Sequence, residues 1–382
     1  MKEDFLLRPD MVFLNHGSFG ACPRPVFERY QQWQLELEAQ PVEFLGRRIY
    51  ALLEEARAQL ANYLNTEADN LVFINNATTG INMVARSLKL DPGDEILATD
   101  HEYGAIDRTW RFLCGKSGAT YINRTVPLPV TTHEEFVEEF WKGVTPRTRI
   151  ISISHITSPT ALIFPVKEIC RRAREAGILT VIDGAHAPGQ IPVDLAELGA
   201  DFYTGNCHKW LCAPKGAAFL YARPEVQHMV EPLVVSWGWE SLLPGKSQFI
   251  DWHEWQGTRD NSAALTVPDA IAFQAEHDWP AVRARCHELL KNLRQQMNEL
   301  TGLAPICPDD AGWYAQMATI QLPSCDAKAL QSALWQDYRV EVPAMEWKGH
   351  QYLRISVQGY NDEQDLAQLL AALRALLPAY SR

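Results

Sequence analysis

Residues 180–190 read Thr-Val-Ile-Asp-Gly-Ala-His-Ala-Pro-Gly-Gln, and residues 201–216 read Asp-Phe-Tyr-Thr-Gly-Asn-Cys-His-Lys-Trp-Leu-Cys-Ala-Pro-Lys-Gly. In the first stretch an apolar run typical of a β-strand ends at Asp183, and in the second a shorter run leads to the pair His208-Lys209. Open α/β sheets bind their ligands at the carboxyl ends of the strands. We therefore expect Asp183 and Lys209 to lie close together at that edge of a sheet.

The chain around these stretches has the rhythm of parallel strands joined by crossover helices. Short β-branched runs predict seven strands, at 71–74, 95–98, 120–123, 149–154, 179–183, 201–203 and 217–221. Helical spacing of apolar residues predicts helices between them, at 78–88, 103–114, 134–141 and 166–175. The run 149–155 is apolar nearly throughout, as expected of a strand covered on both faces. The pattern predicts an α/β fold with a mostly parallel seven-stranded sheet and helices on both faces.

The remaining chain divides at a long connection. Residues 232–261 contain four tryptophans and little periodicity, and a connection of this length is usually functional or lies at an interface. Beyond it, 268–300 and 363–377 are predicted helices, while 318–322 and 352–357 are predicted strands. We predict a large domain over 23–261 and a smaller α+β domain formed by 1–22 and 262–382.

Composition excludes several classes of partner. The 382 residues are 47% hydrophobic and 21% charged, as in soluble globular proteins, and no stretch reaches the roughly 20 apolar residues of a membrane span. A net charge of -12 argues against a nucleic-acid partner. The first ten residues contain acids before any apolar run, so we expect no secretory signal and a cytoplasmic location. The eight cysteines form no CxxC pair, so we expect reduced thiols and no metal site.

Lys209 and Asp183, 26 positions apart (209 minus 183), suit the cofactor pyridoxal 5′-phosphate (PLP). PLP needs an amine that forms a Schiff base and a carboxylate that keeps its pyridine nitrogen protonated. It also needs a phosphate site, which the N-terminus of a helix provides, and the turn 76–80, Asn-Ala-Thr-Thr-Gly, opens a predicted helix. The chain lacks GxGxxG and GxxxxGK, which argues against dinucleotide and P-loop sites.

Each residue also has a structural alternative. Asp183 could cap a turn, His186 could satisfy a buried carbonyl, Tyr103 could belong to the core and Arg354 could pair with a surface acid. The agreement of acid, lysine, phosphate turn and arginine along one chain favours the cofactor.

Four segments together resemble the class V group of fold type I PLP enzymes, which includes cysteine desulfurases and isopenicillin N epimerase. They are Asp-Gly-Ala-His (183–186), Cys-His-Lys (207–209), Asn-Ala-Thr-Thr-Gly (76–80) and Asp-His-Glu-Tyr-Gly-Ala (100–105). The resemblance extends over about 13–357. The segments 14–20, Leu-Asn-His-Gly-Ser-Phe-Gly, and 155–161, His-Ile-Thr-Ser-Pro-Thr-Ala, look more like the isopenicillin N epimerase branch than the desulfurases. The resemblance implies a fold type I PLP-dependent transferase that forms a homodimer with active sites at the subunit interface.

The resemblance also implies individual roles. The catalytic residues would be the Schiff-base Lys209, Asp183 at the pyridine nitrogen, Tyr103 stacked on the ring and His186 near the ring hydroxyl. The other cofactor-binding residues would be Ser158 near the ring hydroxyl, Thr78, Thr79, Asn206 and His208 at the phosphate, and Thr258 at the phosphate of the partner subunit. Many relatives have Asn at the position of Ser158. The amino-acid substrate would meet Asn15, His16 and Gly17, with Arg354 holding its α-carboxylate.

The sequence leaves the reaction open. A desulfurase needs a cysteine in the loop before the carboxylate-binding arginine, and residues 340–354 contain none, so we do not expect a persulfide on an enzyme thiol. The other reactions of the group start alike, with Lys209 removing the Cα proton of an amino acid. We expect an amino-acid epimerase, with a C-S lyase acting on cysteine-derived substrates or an aminotransferase as alternatives. A PLP-binding protein without catalysis would need an effector domain, and the sequence shows none.

Overall fold

A computed structural model describes residues 1–380, which contain twelve strands and fifteen α-helices. The strands are β1 (Val12–Phe13), β2 (Leu71–Ile74), β3 (Glu95–Thr99), β4 (Thr120–Arg124), β5 (Thr148–Ser154), β6 (Leu179–Asp183), β7 (Phe202–Asn206), β8 (Ala218–Ala222), β9 (Met317–Leu322), β10 (Val340–Glu341), β11 (Ala344–Trp347) and β12 (His350–Ser356). The helices as far as the middle of the chain are α1 (His16–Phe19), α2 (Arg24–Ala39), α3 (Pro41–Glu43), α4 (Ile49–Tyr63), α5 (Ala77–Ser87), α6 (Gly104–Ser117), α7 (His133–Trp141), α8 (Val166–Glu175) and α9 (Leu195–Leu198). The later helices are α10 (Gln248–His253), α11 (Ser262–Leu265), α12 (Val267–Glu276), α13 (Trp279–Thr301), α14 (Ala327–Tyr338) and α15 (Glu363–Tyr380).

Strands β2 to β8 form one seven-stranded sheet in the order β2-β8-β7-β6-β5-β3-β4. Neighbours are parallel from β7 through β6, β5 and β3 to β4, whereas β8 pairs antiparallel with both β7 and β2. Only β8 therefore runs against the rest of this sheet. The predicted mostly parallel seven-stranded sheet is confirmed, and its parallel strands end at one common edge.

Both faces of the sheet are covered, and β5 shows how the sequence achieves this. Side chains alternate between the faces of a strand. Ile150 accordingly packs into a cluster with α5 and α6, while Ile151 and Ile153 pack into a second cluster with α7 and α8. All three isoleucines are buried, and burial of each contributes about 1.5–3 kcal/mol. This explains why the β5 sequence is apolar nearly throughout.

The helices beyond the sheet differ in part from the prediction. The stretch 268–300 is two helices, α12 and α13, because Asp278 between them has a left-handed backbone (φ 46°) and Pro280 favours a new helix start. Helices α2, α4 and α14 were not predicted. In α2 only Val26 and Leu37 are buried, so its apolar periodicity is faint. The long connection 232–261 contains the short helix α10.

A second, three-stranded antiparallel sheet in the order β11-β12-β9 lies in the C-terminal part of the chain, where α13, α14 and α15 pack with it and with one another. The N-terminal segment joins this part, because β1 pairs in parallel with β10 and the Ser356 N–H donates to the Leu14 carbonyl at 2.9 Å. The predicted smaller α+β unit therefore exists. The division into 23–261 and 1–22 with 262–382 stays a prediction, and residues 381–382 lie outside the described part.

No helix within residues 1–380 combines the length and apolarity needed to cross a membrane. All eight cysteines are free, and the same residues include no group of three or more His, Cys, Asp or Glu side chains placed to hold a metal ion.

Candidate active site

A cavity of about 420 Å³ lies at the carboxyl edge of the large sheet. The ends of three neighbouring strands supply Ser154 from β5, Asp183 from β6 and Asn206 from β7. The cavity is further lined by Ser18, Phe19, Asn75, Asn76, Ala77, Thr78, Tyr103, Ile156, Ser158, Ala185, His186, His208, Lys209 and Gly216. The sheet topology thus brings Asp183 and Lys209 into one cavity.

Lys209 follows β7 and extends its amine into this cavity. Its Nζ lies 3.0 Å from Nε2 of His186, and no carboxylate within residues 1–380 lies within salt-bridge distance of it. Burial, reinforced by the positive charge of Arg354 and only partly opposed by Asp183, lowers the pKa of the Lys209 amine from 10.5 to about 8. Roughly a tenth of the amine is therefore free at pH 7, far more than for an ordinary lysine, and the free amine is the form that a nucleophile or a general base requires.

The backbone that carries Lys209 is held by close contacts. The Lys209 carbonyl accepts a hydrogen bond from Nε2 of His16 at 2.9 Å. Gly20 (φ 71°) passes so near that a Cβ there would lie 2.0 Å from the carbonyl oxygen of His208. A Cβ on Gly189 (φ 89°) would likewise lie 2.3 Å from the carbonyl carbon of Trp210. Only glycine fits these two positions. The backbone around Lys209, called the lysine loop below, is held in place as a result.

Asp183 is a buried carboxylate in the floor of the cavity. Its Oδ1 accepts the Ala185 N–H at 2.9 Å. Burial raises the pKa of this carboxyl, whereas the Ala185 N–H and the charge of Lys209 act in the opposite direction. A carboxylate in this position favours a cationic nitrogen placed against it, because the surrounding protein provides no guanidinium or ammonium ion pair for it among residues 1–380.

A second buried acid, Glu102, lies near Asp183. It accepts hydrogen bonds from Thr99 Oγ1 at 2.5 Å and Ser154 Oγ at 2.6 Å. Burial, to which the charge of Asp183 adds, raises the pKa of Glu102 to about 8. At neutral pH Glu102 is thus largely neutral.

The N-terminus of α5 borders another side of the cavity. The Asn206 side chain accepts the Ala77 N–H at 2.9 Å, and Asn76 caps the helix by accepting the Thr79 N–H at 2.9 Å and the Thr79 hydroxyl at 3.1 Å. The N–H and hydroxyl of Thr78 have no hydrogen-bond partner among residues 1–380. Because a helix N-terminus carries positive partial charge, Thr78 offers donors to an anion.

Arg354 projects from β12 toward the same site. Its Nη1 donates to the carbonyl and the hydroxyl of Ser158 at 2.7 and 3.1 Å, and its Nη2 donates to Ser18 Oγ at 3.1 Å. The buried Nε has no partner in the described chain, and burial lowers the pKa of the guanidinium to about 10. A buried guanidinium without an acid is costly, and a bound carboxylate would compensate it.

The structure brings most of the predicted site residues together. Tyr103, which precedes α6 and is 49% exposed, lines the cavity with Ser158, His186 and His208. Thr79 does not line the cavity and bonds to Asn76 instead. Thr258 also lies outside the cavity of its own chain. All of the assigned roles stay predictions.

The predicted substrate residues occupy different positions. His16 is buried beneath the cavity, with Nδ1 bonded to Tyr360 at 3.0 Å and Nε2 to the Lys209 carbonyl. The Gly17 N–H donates to Ser356 Oγ at 3.1 Å. Asn15 donates to Glu341 at 2.8 Å. None of the three lines the cavity, whereas the next residue, Ser18, does.

Three residues near the centre were not predicted. Ser18 stands within the segment 14–20 and Trp210 directly follows Lys209. The sequence thus points to both positions but does not reveal the direction of their side chains. Glu102 precedes Tyr103, and its burial could not be read from a charged residue in a polar turn. Trp210 donates its indole N–H to Nδ1 of His186 at 3.3 Å.

Comparison with known proteins agrees with this geometry. The isopenicillin N epimerase of Amycolatopsis lactamdurans is 36% identical over 388 residues, covering 98% of this chain and 97% of that protein. A protein described as a probable chloroplastic L-cysteine desulfhydrase of Arabidopsis thaliana is 30% identical over 404 residues, covering 97% of this chain and 83% of its own length.

The fold has a close match among solved structures. A mutant of C-DES with glycine covalently linked to its PLP cofactor superposes with a TM-score of 0.85 at 22% identity, covering 98% of this chain and 99% of that one. The family model for aminotransferase class-V matches residues 12–369. The chain therefore belongs to the class-V aminotransferase family.

Proposed function

We propose that this protein is a PLP-dependent enzyme that acts at the Cα of an amino acid. The observation that supports it best is one cavity lined by the amine of Lys209 and the buried carboxylate of Asp183. The buried guanidinium of Arg354 adjoins this cavity through its hydrogen bonds to the lining residues Ser18 and Ser158. The amine has no ion-pair partner and Nε of Arg354 has none at all within residues 1–380, so the site is incomplete without a ligand.

The residues present fit PLP. Lys209 would attach the cofactor through Nζ, Asp183 would pair with the pyridine nitrogen, and Thr78 with the start of α5 would bind the phosphate. Tyr103 would stack on the ring. When bound, PLP supplies an electron sink for negative charge that develops at the substrate Cα.

The protein groups then have distinct tasks. Arg354 binds the α-carboxylate through its free Nε and an adjacent N–H, which orients the amino acid. Lys209 accepts the Cα proton on Nζ, and its pKa of about 8 keeps part of it in the basic form near neutral pH. Asp183 would face the pyridine nitrogen, and Glu102 beside it is largely protonated at neutral pH.

We propose epimerisation as the reaction. The two segments that look most like isopenicillin N epimerase, 14–20 and 155–161, are those that hold Arg354, through Ser18 and Ser158. The more similar of the two relatives described above also carries that name. Ser18 and Ser158 thus hold the proposed carboxylate-binding arginine and also belong to the segments that resemble isopenicillin N epimerase.

Incubation in D2O tests the reaction. Isopenicillin N and a panel of L-amino acids are incubated with the PLP-loaded protein, and the products are separated by chirality and mass. Product inverted at the α-carbon and deuterated at Cα supports the proposal. A keto acid formed with loss of cofactor absorbance would indicate transamination instead, and recovery of every compound without deuterium would indicate a PLP-binding protein without catalysis.

A C-S lyase is the second candidate, and the 30% identity to an L-cysteine desulfhydrase favours it. Such a reaction expels the thiol of the substrate and needs no enzyme thiolate. This agrees with the cysteines nearest the lysine, Cys207 and Cys212, which are buried and whose thiol pKa values burial raises. Pyruvate, ammonia and sulfide from L-cysteine, without deuterated D-amino acid from any compound of the panel, would replace epimerisation by elimination.

We further propose a cytoplasmic homodimer. Apolar side chains in the connection 232–261 are strongly exposed on the single chain, with Trp237 at 83%, Leu242 at 96% and Leu243 at 91%. Such a patch is typical of a surface covered by another protein, and Thr258 in the same connection is free to reach a second copy. Analytical ultracentrifugation at micromolar concentration should give a dimer that W237S/L242S dissociates. A wild-type monomer would contradict this assembly.

A further inference from the structure

Three buried side chains form a hydrogen-bonded row at the cavity. The indole Nε1–H of Trp210 donates to Nδ1 of His186 at 3.3 Å, and Nε2 of the same ring lies 3.0 Å from Nζ of Lys209. Trp210 and His186 are both buried, so water does not compete for the indole N–H or for Nδ1. The row ends on the amine on which the proposed function depends.

The donors and acceptors in this row are fixed by chemistry. An indole N–H can only donate, so the Nδ1 that receives it carries no proton. A neutral imidazole has one N–H, which must then be on Nε2. Nε2–H is a donor, and its partner Nζ must accept. An ammonium group has no lone pair, whereas a free amine has one.

We infer that Trp210 is a positioning residue that fixes the tautomer of His186, and that this tautomer stabilises the free-amine form of Lys209. The inference rests on the proposed function for its purpose, because the free amine is the form that bonds to a cofactor aldehyde and that removes a Cα proton. Trp210 touches neither and acts through His186.

Most of the titratable groups around the row disfavour an additional proton on His186 or Lys209. Those that face His186 are Lys209, Arg354, His208 and His16, and those that face Lys209 are Arg354 and Asp183. Burial, together with the positive charges of Lys209 and Arg354, holds the pKa of His186 well below its usual range, so the ring does not gain a second proton. His208 and His16 are themselves neutral, because burial lowers their pKa values to about 4 and about 3. Only Asp183 favours the ammonium form.

Competitive labelling of the cofactor-free full-length protein measures the state of the amine. The protein is acetylated with a trace of acetic anhydride between pH 6 and 11, and modification of Lys209 is quantified by peptide mass spectrometry against an internal amine standard. We expect a wild-type midpoint near pH 8. W210F keeps a smaller aromatic ring but loses the N–H, so His186 can move its proton to Nδ1 and accept from an ammonium group.

The expected result for W210F is a midpoint higher by about half to one pH unit, or three- to tenfold less labelling at pH 7, the effect of one ordinary hydrogen bond. H186Q should give a similar rise, because an amide oxygen accepts from an ammonium group. A folded W210F with the wild-type midpoint would overturn the inference.

A measurement on the unmodified protein covers the case in which W210F does not fold. Carbon-13 labelling of histidine distinguishes the Nε2–H from the Nδ1–H tautomer by the chemical shift of Cδ2, and the His186 signal is the one that H186Q lacks. We expect the Nε2–H form, and the Nδ1–H form would overturn the inference. Neither measurement uses PLP, so a protein that fails to bind the cofactor would contradict the proposed function and leave these outcomes readable.

Discussion

Replacing Lys209 with methionine should alter how stability depends on pH in the cofactor-free protein. The amine is surrounded by protein and has no ion-pair partner within residues 1–380, so its charge is less stable in the folded than in the unfolded chain. The folded pKa is about 8 against 10.5 in the absence of the protein. Between these values the unfolded chain binds more protons, and the free energy of unfolding of the wild type therefore rises as the pH increases from about 8 to 10.5.

The size of the effect follows from that shift. A difference of 2.5 units, 10.5 minus 8, corresponds to about 3 kcal/mol at about 1.4 kcal/mol per unit. Water that reaches the cavity screens part of it, so about 2–3 kcal/mol is expected. Lys209→Met removes the titrating group. Its constant effect on packing and on the hydrogen bond of His186 cancels when only the change with pH is compared.

Urea unfolding of the two cofactor-free proteins at pH 7, 8, 9, 10 and 10.5 measures this change. The wild type should gain about 2–3 kcal/mol relative to Lys209→Met over the range. Lys328→Met is the matched control, because this lysine is exposed on α14 and its curve should follow the wild type. Parallel curves for wild type and Lys209→Met would refute the claim that the protein environment disfavours the ammonium form.

Three further substitutions test other parts of the site. Arg354→Gln replaces the guanidinium with a shorter, neutral polar group, and kcat/KM for the amino-acid substrate should fall at least about 100-fold while the absorbance of bound PLP is unchanged. Equal kcat/KM would contradict the carboxylate role. Because the pKa of Glu102 rises from 4.5 to about 8 on folding, the wild type should lose stability as the pH increases from 4.5 to 8, the opposite of the effect of Lys209. Glu102→Gln should remove this loss. Equal urea midpoints for the two proteins across that range would contradict a neutral Glu102. Gly20→Ala should destabilise the fold by about 2 kcal/mol or more in thermal or urea unfolding, because its Cβ would lie 2.0 Å from the His208 carbonyl oxygen, and an unchanged stability would show that the lysine loop can move.

The fold could be predicted from the sequence to the extent that burial is strong on both faces. Strand β5 is apolar nearly throughout, and its predicted bounds of 149–154 agree with Thr148–Ser154. Helix α2 has only two buried residues among its 16, so it produced little periodicity to detect. The break before α13 depends on the backbone of Asp278, for which the sequence offers only the neighbouring Pro280.

The site could be predicted where residues adjoin strand ends. Asp183, Asn206 and Lys209 meet because the neighbouring parallel strands β6 and β7 end at one edge, where the loop with Lys209 follows β7. The partners that come from distant segments could not be inferred in this way. Ser18 contacts Arg354 across 336 positions of the chain, and the Trp210 indole packs against the ring of His16 with ring centroids 4.9 Å apart.

The central claim is that Lys209 binds PLP covalently. Purified wild-type protein is mixed with PLP, reduced with borohydride, digested and mapped by mass spectrometry, with Lys215→Ala as the control because Lys215 is a nearby lysine whose Nζ donates to the Gly20 carbonyl at 3.0 Å. Before reduction both proteins should show the near-visible absorbance of a PLP Schiff base. After reduction the cofactor should be found on Lys209 in both. Cofactor on another lysine, or on none, would contradict the claim.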